Sequence, residues 1–335
     1  MRSHIKMSDI ARELGVSTVT VSKALSGKEG VGKDLRKSIV QKAEAMGYVY
    51  NSLPRGMLEG RTYNIGILIA AKYLGENSFY WIFYQRLLRA LKATSYTGIL
   101  EVVNDEDETA CAIPSIVTAN KIDGLILLGQ LSSAYLSAIT TTIRQCVFLD
   151  FYSDIGRCDC VASNTFLGSY NLTKLLIAAG HKKIAFIGSI SATTSIIDRY
   201  MGYCKAMLEA GFPYDPAIDD RDSKGVYLTE MQLKPDSYTA YVCNNDQLAG
   251  NVIRQLRKIG MAVPADISLV GFDNESEAVT GGIGITSLEV NVDNMCGKCI
   301  GTLIQHIESE EYGPPGISFV DGKIVVKQSI APPKI

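Results

Sequence analysis

Four polar residues are placed so that each follows an apolar run or begins a helical segment: Asp150, Arg199, Asn245 and Asp273. Carboxylate, guanidinium and carboxamide groups offer paired donors and acceptors in one plane, which suits the hydroxyl groups of a sugar-like molecule. Each residue could instead form a structural salt bridge or cap a helix, and Asp246 competes with Asn245 for the capping role. These four residues are the candidate ligand contacts.

Aromatic side chains could supplement them, because an aromatic face binds the apolar side of a ring. Core packing is the alternative for each of these aromatic residues. The candidates are Phe79, Tyr80, Trp81, Tyr152 and Phe272.

A second kind of chemistry is indicated near the start of the chain, where short polar residues surround one long cation. On a helix lying in the major groove of DNA, hydroxyl groups can reach bases or phosphates, Val19 can contact a thymine methyl group, and Lys23 can reach guanine. An ordinary solvated helix face is the alternative. The candidate DNA-contacting residues are Ser17, Thr18, Val19, Thr20, Ser22 and Lys23.

No catalytic constellation is apparent. The sequence has no G-x-S-x-G, Walker or H-E-x-x-H motif, and the glycines at 281–284 lack a strand-to-helix context. The close pairs Cys158/Cys160 and Cys296/Cys299 do not have zinc-finger spacing, so we expect reduced thiols and no metal. His181 precedes a predicted strand, where a structural role is favoured. The sequence therefore predicts a protein that is not an enzyme and has no cofactor.

Three helices must position the DNA-contacting residues. A helix over 7–14 is followed by Gly15 as a breaker, and Ser17 is a good N-cap for a second helix over 18–25. A third helix is predicted over 33–46. The expected inward residues are Ile10, Ala11, Leu14, Val21, Leu25, Leu35, Ile39, Ala43 and Met46. This is a helix-turn-helix arrangement.

From Tyr63 onward, short apolar runs alternate with amphipathic helices, which predicts parallel sheets with helices on both faces. The predicted strands are 64–70, 98–103, 124–128, 146–150, 183–187, 240–243 and 268–272. The predicted helices are 81–94, 166–179, 198–210, 247–259 and 294–307. The body is too long for one ordinary sheet, and 163–180 reads as a crossover into a second. Ligands bind at the C-terminal ends of such strands, so two facing sheets predict a cleft site.

Charge is divided unevenly along the chain. Residues 1–60 hold ten Lys and Arg against six Asp and Glu, whereas the remaining 275 residues hold 23 against 29. A basic N-terminal segment on an acidic body favours a DNA-binding module, with chance asymmetry as the alternative.

No apolar run of about 18 residues is present and 1–8 does not resemble a signal peptide, so we expect a cytoplasmic protein that contacts no membrane.

The stretch DIARELGVSTVTVSKALSG, followed by AEAMGYVYN, resembles the headpiece of the LacI/GalR family of bacterial repressors. The body resembles the same family through GHKKIAFIG, PADISLVGFDN and several weaker matches. The resemblance implies that Thr18, Val19 and Lys23 read bases and that Ser17 and Ser22 contact phosphates. It also implies effector binding by Asp150, Arg199, Asn245 and Asp273. Lys6 and Gly32 depart from the usual helix caps. Val290 and Val292 replace a usual Gln and aromatic residue, which leaves the particular sugar open, with a nucleobase effector as a less favoured alternative.

Residues 51–62 resemble the family's hinge, a segment that forms a short helix when paired with its dimer partner on DNA. By that resemblance Asn51, Arg55 and Met57 contact DNA, with Met57 as the apolar wedge in the minor groove. Pro54 and Gly56 depart from the pattern and weaken so short a helix. We therefore predict a hinge that is disordered away from DNA, with a plain linker as the alternative.

The expected domains are a headpiece over 1–50, a hinge over 51–62, and an effector-binding and dimerisation domain over 63–335. Within the last domain we expect one sublobe over about 63–162 and 291–320, and another over about 163–290 and 321–335. The fold class is thus a small all-α helix-turn-helix headpiece plus a periplasmic-binding-protein-like α/β body. The predicted function is a homodimeric repressor of pseudo-palindromic operator DNA, controlled by a sugar-like effector. A periplasmic-type sugar receptor without a DNA role is the alternative.

Overall fold

The computed structural model describes residues 5–25, 29–46, 48, 60–74, 79–155, 158–223, 225–277, 280–309 and 314–334. The chain divides into two compact units, Met1–Thr62 and Tyr63–Ile335. The predicted hinge contacts Asn51, Arg55 and Met57, together with the hinge departures Pro54 and Gly56, lie outside the described residues.

The first unit contains the three predicted helices, which are Met7–Leu14 (α1), Thr18–Leu25 (α2) and Lys33–Ala45 (α3). Gly15 ends α1 in the left-handed conformation, with φ 62°, which glycine adopts without the steric cost of a Cβ atom. Ser17 is confirmed as the cap of α2, because its Oγ accepts a 3.0 Å hydrogen bond from the backbone N–H of Thr20.

The core of this unit is small and formed by one face of each helix. Leu14, Leu25 and Met46 are half-buried and pack against this core, whereas Leu35 is exposed near the start of α3, so its expected inward position was wrong. Val21 and Ala24 are three residues apart, so they share the face of α2 that packs on the other helices. The buried side chains are Ile10, Ala11, Val21, Ala24, Ile39 and Ala43.

The second unit alternates strands and helices, as predicted. Its strands are Asn64–Ala70 (β1), Thr97–Val103 (β2), Gly124–Leu128 (β3), Cys146–Leu149 (β4), Asp159–Ser163 (β5), Ile184–Ile187 (β6), Ala240–Cys243 (β7), Ser268–Phe272 (β8), Thr286–Glu289 (β9), Ile317–Val320 (β10) and Lys323–Val325 (β11). Its α-helices are Phe79–Leu91 (α4), Asp105–Thr109 (α5), Ser115–Thr118 (α6), Ser133–Thr142 (α7), Thr165–Ala178 (α8), Thr194–Glu209 (α9), Asp246–Lys258 (α10) and Val292–Glu308 (α11).

The strands form two sheets. The first sheet has six strands in the order β10-β5-β4-β3-β1-β2, and all of its pairs are parallel. The second has five strands in the order β11-β9-β8-β7-β6, with parallel pairs except at its edge, where β11 runs antiparallel to β9. We call the regions around these sheets the first and second sublobes. The predicted fold class is confirmed, with β11 as an antiparallel addition.

The chain passes between the sublobes three times. It leaves the first sheet after β5 through α8 and returns after β9 through α11, which packs against β3, β4, β5 and α4. It crosses once more in the two-residue connection between β10 and β11. Central strands of both sheets are buried along their whole length, as expected for sheets covered by helices on both faces.

The contact between α8 and α9 depends on a glycine. An added Cβ at Gly202 would lie 2.2 Å from the backbone oxygen of Phe166, so only glycine lets the two helix backbones approach this closely.

Within the described part of the chain, no helix is both long and apolar enough to cross a lipid bilayer. The same residues contain no cluster of three or more His, Cys, Asp or Glu side chains arranged to hold a metal ion.

Candidate functional site

A cavity of about 430 Å³ lies between the two sublobes, at the C-terminal ends of β1, β4, β7 and β8. This is the position at which doubly wound sheets bind ligands, and the volume falls in the range of small-molecule sites. Of the predicted ligand contacts, the structure brings Phe79, Tyr80, Asp150, Arg199, Asn245 and Asp273 together around this cavity.

Two aspartates that line the cavity have strained backbone conformations. Asp150 follows β4 with φ 70°, and Asp273 follows β8 with φ 89°, a region that residues other than glycine rarely adopt. Both remain tied to the sheets, because the N–H of Asp150 donates to Val161 O at 2.8 Å and that of Asp273 donates to Leu288 O at 2.9 Å. Strain at such positions is characteristic of functional sites, where it fixes the direction of a side chain.

Arg199 lies in the first half of α9 and is almost fully buried. Its Nη1 donates to the backbone oxygen and to Oδ1 of Asn244, at 2.7 and 2.8 Å. Its guanidinium carbon lies 4.3 Å from the ring centroid of Phe272, which supports the group by a cation–π contact. These contacts occupy one edge of the guanidinium and leave the other nitrogens for a ligand; Nε is buried and makes no hydrogen bond to any described residue.

The carboxyl groups around Arg199 are hard to ionise. Burial raises the pKa of Asp150 to about 6, although a hydrogen bond from Tyr80 and the charge of Arg199 oppose the rise. Burial raises the pKa of Asp273 to about 7, with Arg199 again opposing and the charge of Asp150 adding to the rise. Near neutral pH the pair can therefore both accept and donate hydrogen bonds, as the hydroxyl groups of a polyol require.

Asn245 has a structural role as well as a place in the cavity. Its Oδ1 accepts a 2.8 Å hydrogen bond from the N–H of Leu248, so Asn245, and not Asp246, caps α10. The side-chain nitrogen of Asn245, which the cap does not use, is the donor it can offer to a ligand. Asp246 is instead buried behind the cavity, where it accepts a 2.9 Å hydrogen bond from the N–H of Glu275.

Three of the predicted aromatic contacts do not line the cavity. Phe272 is fully buried in the core of the second sublobe, beneath Arg199. Trp81 is exposed on α4. Tyr152 lies beside the cavity and makes a contact between the sublobes, because its hydroxyl donates to the carboxylate of Asp198 at 2.9 Å.

A second hydrogen bond also joins the sublobes: the N–H of Thr194 at the start of α9 donates to Oε1 of Gln130 at 2.8 Å. Together with the Tyr152–Asp198 bond it sets how closely the two sublobes approach. A ligand that contacts residues of both sublobes would act on the same spacing between them.

Several cavity residues were not predicted, because they lie in loops or on helices whose cavity-facing sides were not known. The spacing of Gln247 and Asn251 on α10, four residues apart, was the one available signal. The residues that the sequence analysis missed are Lys72, Tyr73, Thr193, Ser195, Ile196, Arg221, Tyr227, Asn244, Gln247, Leu248, Asn251, Arg254 and Glu275.

The first unit presents the predicted DNA-contacting residues on one surface of α2. Ser17, Thr18, Val19 and Lys23 are exposed, while Thr20 and Ser22 are half-buried at the edge of this surface. Val19, an apolar residue, is 62% exposed. An exposed valine among short hydroxyl side chains gains nothing for folding, whereas it suits contact with a thymine methyl group.

Two family models match the chain. Residues 6–51 match the bacterial regulatory proteins of the lacI family, and residues 173–330 match a periplasmic binding protein-like domain. Among curated relatives, the HTH-type transcriptional regulator RegA of Clostridium saccharobutylicum is 29% identical over 327 residues, covering 92% of this chain and 94% of that protein.

Solved structures share the fold over nearly the whole chain. The lac repressor dimer bound to operator and the anti-inducer ONPF has a TM-score of 0.75 at 19% identity, covering 98% of this chain and all of that chain. The complex of the transcriptional regulator CelR with cellobiose has a TM-score of 0.67 at 20% identity, covering 97% of this chain and all of that chain.

The headpiece, the cleft body and these similarities define a transcriptional regulator with a DNA-binding and a ligand-sensing part, and not an enzyme. The chain carries a DNA-binding domain of the lacI family of bacterial regulatory proteins, followed by a periplasmic binding protein-like domain. A receptor without a DNA role is not favoured, because such a receptor has no use for the helix-turn-helix unit.

Proposed function

We propose that this regulator represses transcription by binding a pseudo-palindromic operator, and that a sugar-like effector in the cleft controls its affinity for that DNA. The observation that carries the proposal is the cavity itself: a buried arginine flanked by two strained aspartates, in a chain that also presents an exposed helix-turn-helix face.

In this proposal α2 lies in the major groove. Thr18, Val19 and Lys23 read bases, and Ser17, Thr20 and Ser22 contact phosphates or neighbouring bases. The hinge residues Asn51, Arg55 and Met57 contact the minor groove at the centre of the operator.

The effector is held by side chains from both sublobes. Asp150, Asn245 and Asp273 exchange hydrogen bonds with hydroxyl groups, and Arg199 donates from its unused edge. Phe79 and Tyr80 cover one face of the ring, while Phe272 supports Arg199 and Tyr152 acts through the contact between sublobes. The transcriptional regulator CelR, which has a similar fold, forms a complex with cellobiose, and this supports a sugar-like ligand here.

Control of DNA binding follows from differential affinity. An effector that binds one arrangement of the sublobes better than another shifts the population toward it, and DNA affinity changes by the coupling free energy, typically about 1–3 kcal/mol. The hydrogen bonds Tyr152–Asp198 and Gln130–Thr194 are among the contacts that such a shift must remake.

We infer a homodimer, since two headpieces are needed to match the two halves of a pseudo-palindrome. The operator-bound lac repressor, which shares this fold, is a dimer. We infer that the protein acts in the cytoplasm, where chromosomal operators are found.

The test is operator binding with and without candidate effectors. Binding sites are selected from a random duplex library, and the affinity of the full chain for the selected duplex is measured by fluorescence anisotropy across a panel of mono- and disaccharides. We expect a palindromic consensus, binding as a dimer in sedimentation experiments, and a change of roughly 5- to 150-fold in DNA affinity with the correct sugar.

A matched pair of variants separates specific from nonspecific binding. Lys23→Gln removes a charge from the proposed reading face, and Lys37→Gln removes one from α3. The proposal is contradicted if the full chain binds no duplex at low salt, or if both variants lose the same affinity for the selected site.

A further inference from the structure

The lining of the cleft cavity includes several cationic side chains, from both sublobes. They are Lys72, Arg199, Arg221 and Arg254. Lys72 is paired with Glu108, which lies 3.3 Å away, and Arg199 is held by Asn244. Arg221 and Arg254 belong to different elements of the second sublobe, and neither has a place in the sugar contacts proposed above.

Arg254 lies on the face of α10 that borders the cavity. Gln247, Asn251 and Arg254 line the cavity from successive turns of this helix, and Arg254 donates to Oδ1 of Asn251. Among the described residues, no carboxylate oxygen lies within 4.0 Å of its guanidinium, whereas Lys258 on the next turn is paired with Glu230 at 2.8 Å. The charge of Arg254 is therefore available to a ligand.

Arg221 lies in the loop before β7, where its guanidinium carbon is 4.5 Å from the ring centroid of Tyr227 and its Nη2 donates to the Tyr227 hydroxyl at 2.9 Å. Its Nε is buried and makes no hydrogen bond within the described residues. The nearest acid, Asp220, is 3.9 Å away and already accepts a 2.8 Å hydrogen bond from the N–H of Ser189. A guanidinium stacked on a ring is fixed in plane, which orients its donors for a planar or tetrahedral anion.

The acidic groups of the cavity come from other elements. Asp150, Asp273 and Glu275 follow strands β4 and β8, and no described carboxylate on α10 or in the loop 220–228 lines the cavity. The cavity thus combines a carboxylate group suited to hydroxyls with two arginines suited to an anion. Burial, which raises the pKa values of Asp150 and Asp273, lowers the negative charge that an anionic ligand would meet near neutral pH.

We propose that the effector is an anionic saccharide, a sugar carrying a carboxylate or a phosphate group, and that Arg221 and Arg254 bind its anion while Asp150, Arg199 and Asp273 bind its hydroxyls. This inference rests on the proposed function for one point, that the cleft is the effector site. The cavity of about 430 Å³ has room for such a molecule.

The experiment compares matched probes by isothermal titration calorimetry on the full chain: glucose, glucuronate and glucose 6-phosphate, and the same three forms of galactose and mannose. The variants are Arg221→Gln, Arg254→Gln, both together, and Arg221→Lys, which keeps the charge but loses the planar fork. Lys258→Gln is the matched control, since it removes a positive charge from α10 away from the cavity. Thermal unfolding of each variant establishes that it is folded.

We expect at least one anionic sugar to bind about tenfold or more tightly than its neutral parent, as one charged hydrogen-bonding contact provides. The ratio of the affinity for the anionic sugar to that for its neutral parent should be close to one in the double variant and smaller than in the wild type in Arg221→Lys. In Lys258→Gln the ratio should be unchanged. The uronate and phosphate members of each set identify which anion the site takes.

The proposal is overturned if no anion in the panel binds more tightly than its neutral parent, or if the preference survives in the double variant. A result that overturns the anionic-saccharide proposal can be distinguished from one that contradicts the proposed function. Neutral sugars that alter operator affinity would leave the effector role of the cleft intact, whereas loss of operator binding in every condition would contradict the proposed function without changing the anion preference.

Discussion

Replacing Arg199 with lysine tests the centre of the proposed effector site. The substitution keeps a positive charge next to Asp150 and Asp273, but it replaces a planar group with a single nitrogen. In the native protein Nη1 contacts Asn244 at 2.7 and 2.8 Å, and the remaining nitrogens stay available for a ligand. A lysine ammonium that contacts Asn244 cannot also reproduce the second edge of the guanidinium.

The expected magnitude follows from the contacts that are lost. Two charged hydrogen bonds to the effector, at about 1.5–3 kcal/mol each, correspond to a loss of roughly 10²- to 10⁴-fold in effector affinity. The cation–π contact with Phe272 contributes about 1–2 kcal/mol to the stability of the body, so the variant should also unfold at a slightly lower temperature. Affinity for operator DNA without effector should change by less than about twofold, because the residue lies in the other unit of the chain.

The assay is a titration of effector against a fluorescent operator duplex held by the wild type, by Arg199→Lys and by Arg257→Lys. Arg257 is the matched control because it is also an arginine that contacts a backbone oxygen, that of Gly281 at 3.0 Å, but does not line the cavity. A normal dose–response curve for Arg199→Lys would refute the assignment of Arg199 to the effector. An equal defect in Arg257→Lys would show that the effect is structural.

Three further predictions concern other parts of the molecule. Lys23→Ala should cost roughly 1–3 kcal/mol of binding to the selected operator and relax its sequence preference, and an equal loss on random duplexes would contradict base reading. Burial raises the pKa of Asp246 to about 8, above the value of 3.8 that applies unfolded, so its ionisation destabilises the native state increasingly as pH rises from about 4 to about 8. Asp246→Asn should therefore raise the melting temperature by several degrees at pH 8.5 and by little at pH 4; an equal shift at both values would exclude ionisation as the cause. Gly202→Ala should destabilise the body by about 3 kcal/mol in denaturant unfolding, because its Cβ would meet Phe166 O at 2.2 Å, whereas Gly301→Ala, with open space around it, should not.

The parts of the fold that the sequence predicted are those in which periodicity and burial agree. The runs at 124–128, 240–243 and 268–272 are apolar throughout and coincide with fully buried central strands. The strands that were not predicted lack this signature. β10 is an edge strand with three exposed residues, and β9 buries Thr286 and Ser287, whose polar groups bond to Lys327, Ser329 and Asn274. Such burial depends on partners far along the chain, which local sequence patterns do not encode.

The residues of the candidate site also divide into those that the sequence could place and those that it could not. Asp150, Arg199, Asn245 and Asp273 could be placed because each follows a predicted strand or lies near the start of a predicted helix, and strand ends meet at one edge of a parallel sheet. Arg221 and Tyr227 could not, because they lie in the loop between α9 and β7, whose course toward the cavity depends on long-range hydrogen bonds such as that from the N–H of Ser189 to Asp220. Tyr152 and Phe272 were placed in the right region, but the sequence could not distinguish a ligand contact from a contact between sublobes or a supporting ring.

The cleft concentrates features that each reduce stability. Asp150 and Asp273 have left-handed backbone at a cost of about 1–3 kcal/mol each, burial raises the pKa of both carboxyl groups, and the charge of Asp150 adds to the rise at Asp273. Arg199 is buried with no carboxylate within 4.0 Å among the described residues, and one oxygen of Asp273 is buried without a hydrogen-bond partner among them. A hydrophobic core of the same volume would avoid all of these costs. These costs are concentrated where the two sheets end opposite each other. The geometry that lowers the stability of the body therefore also directs hydrogen-bond donors and acceptors at a ligand. Ligand binding can offset the lost stability.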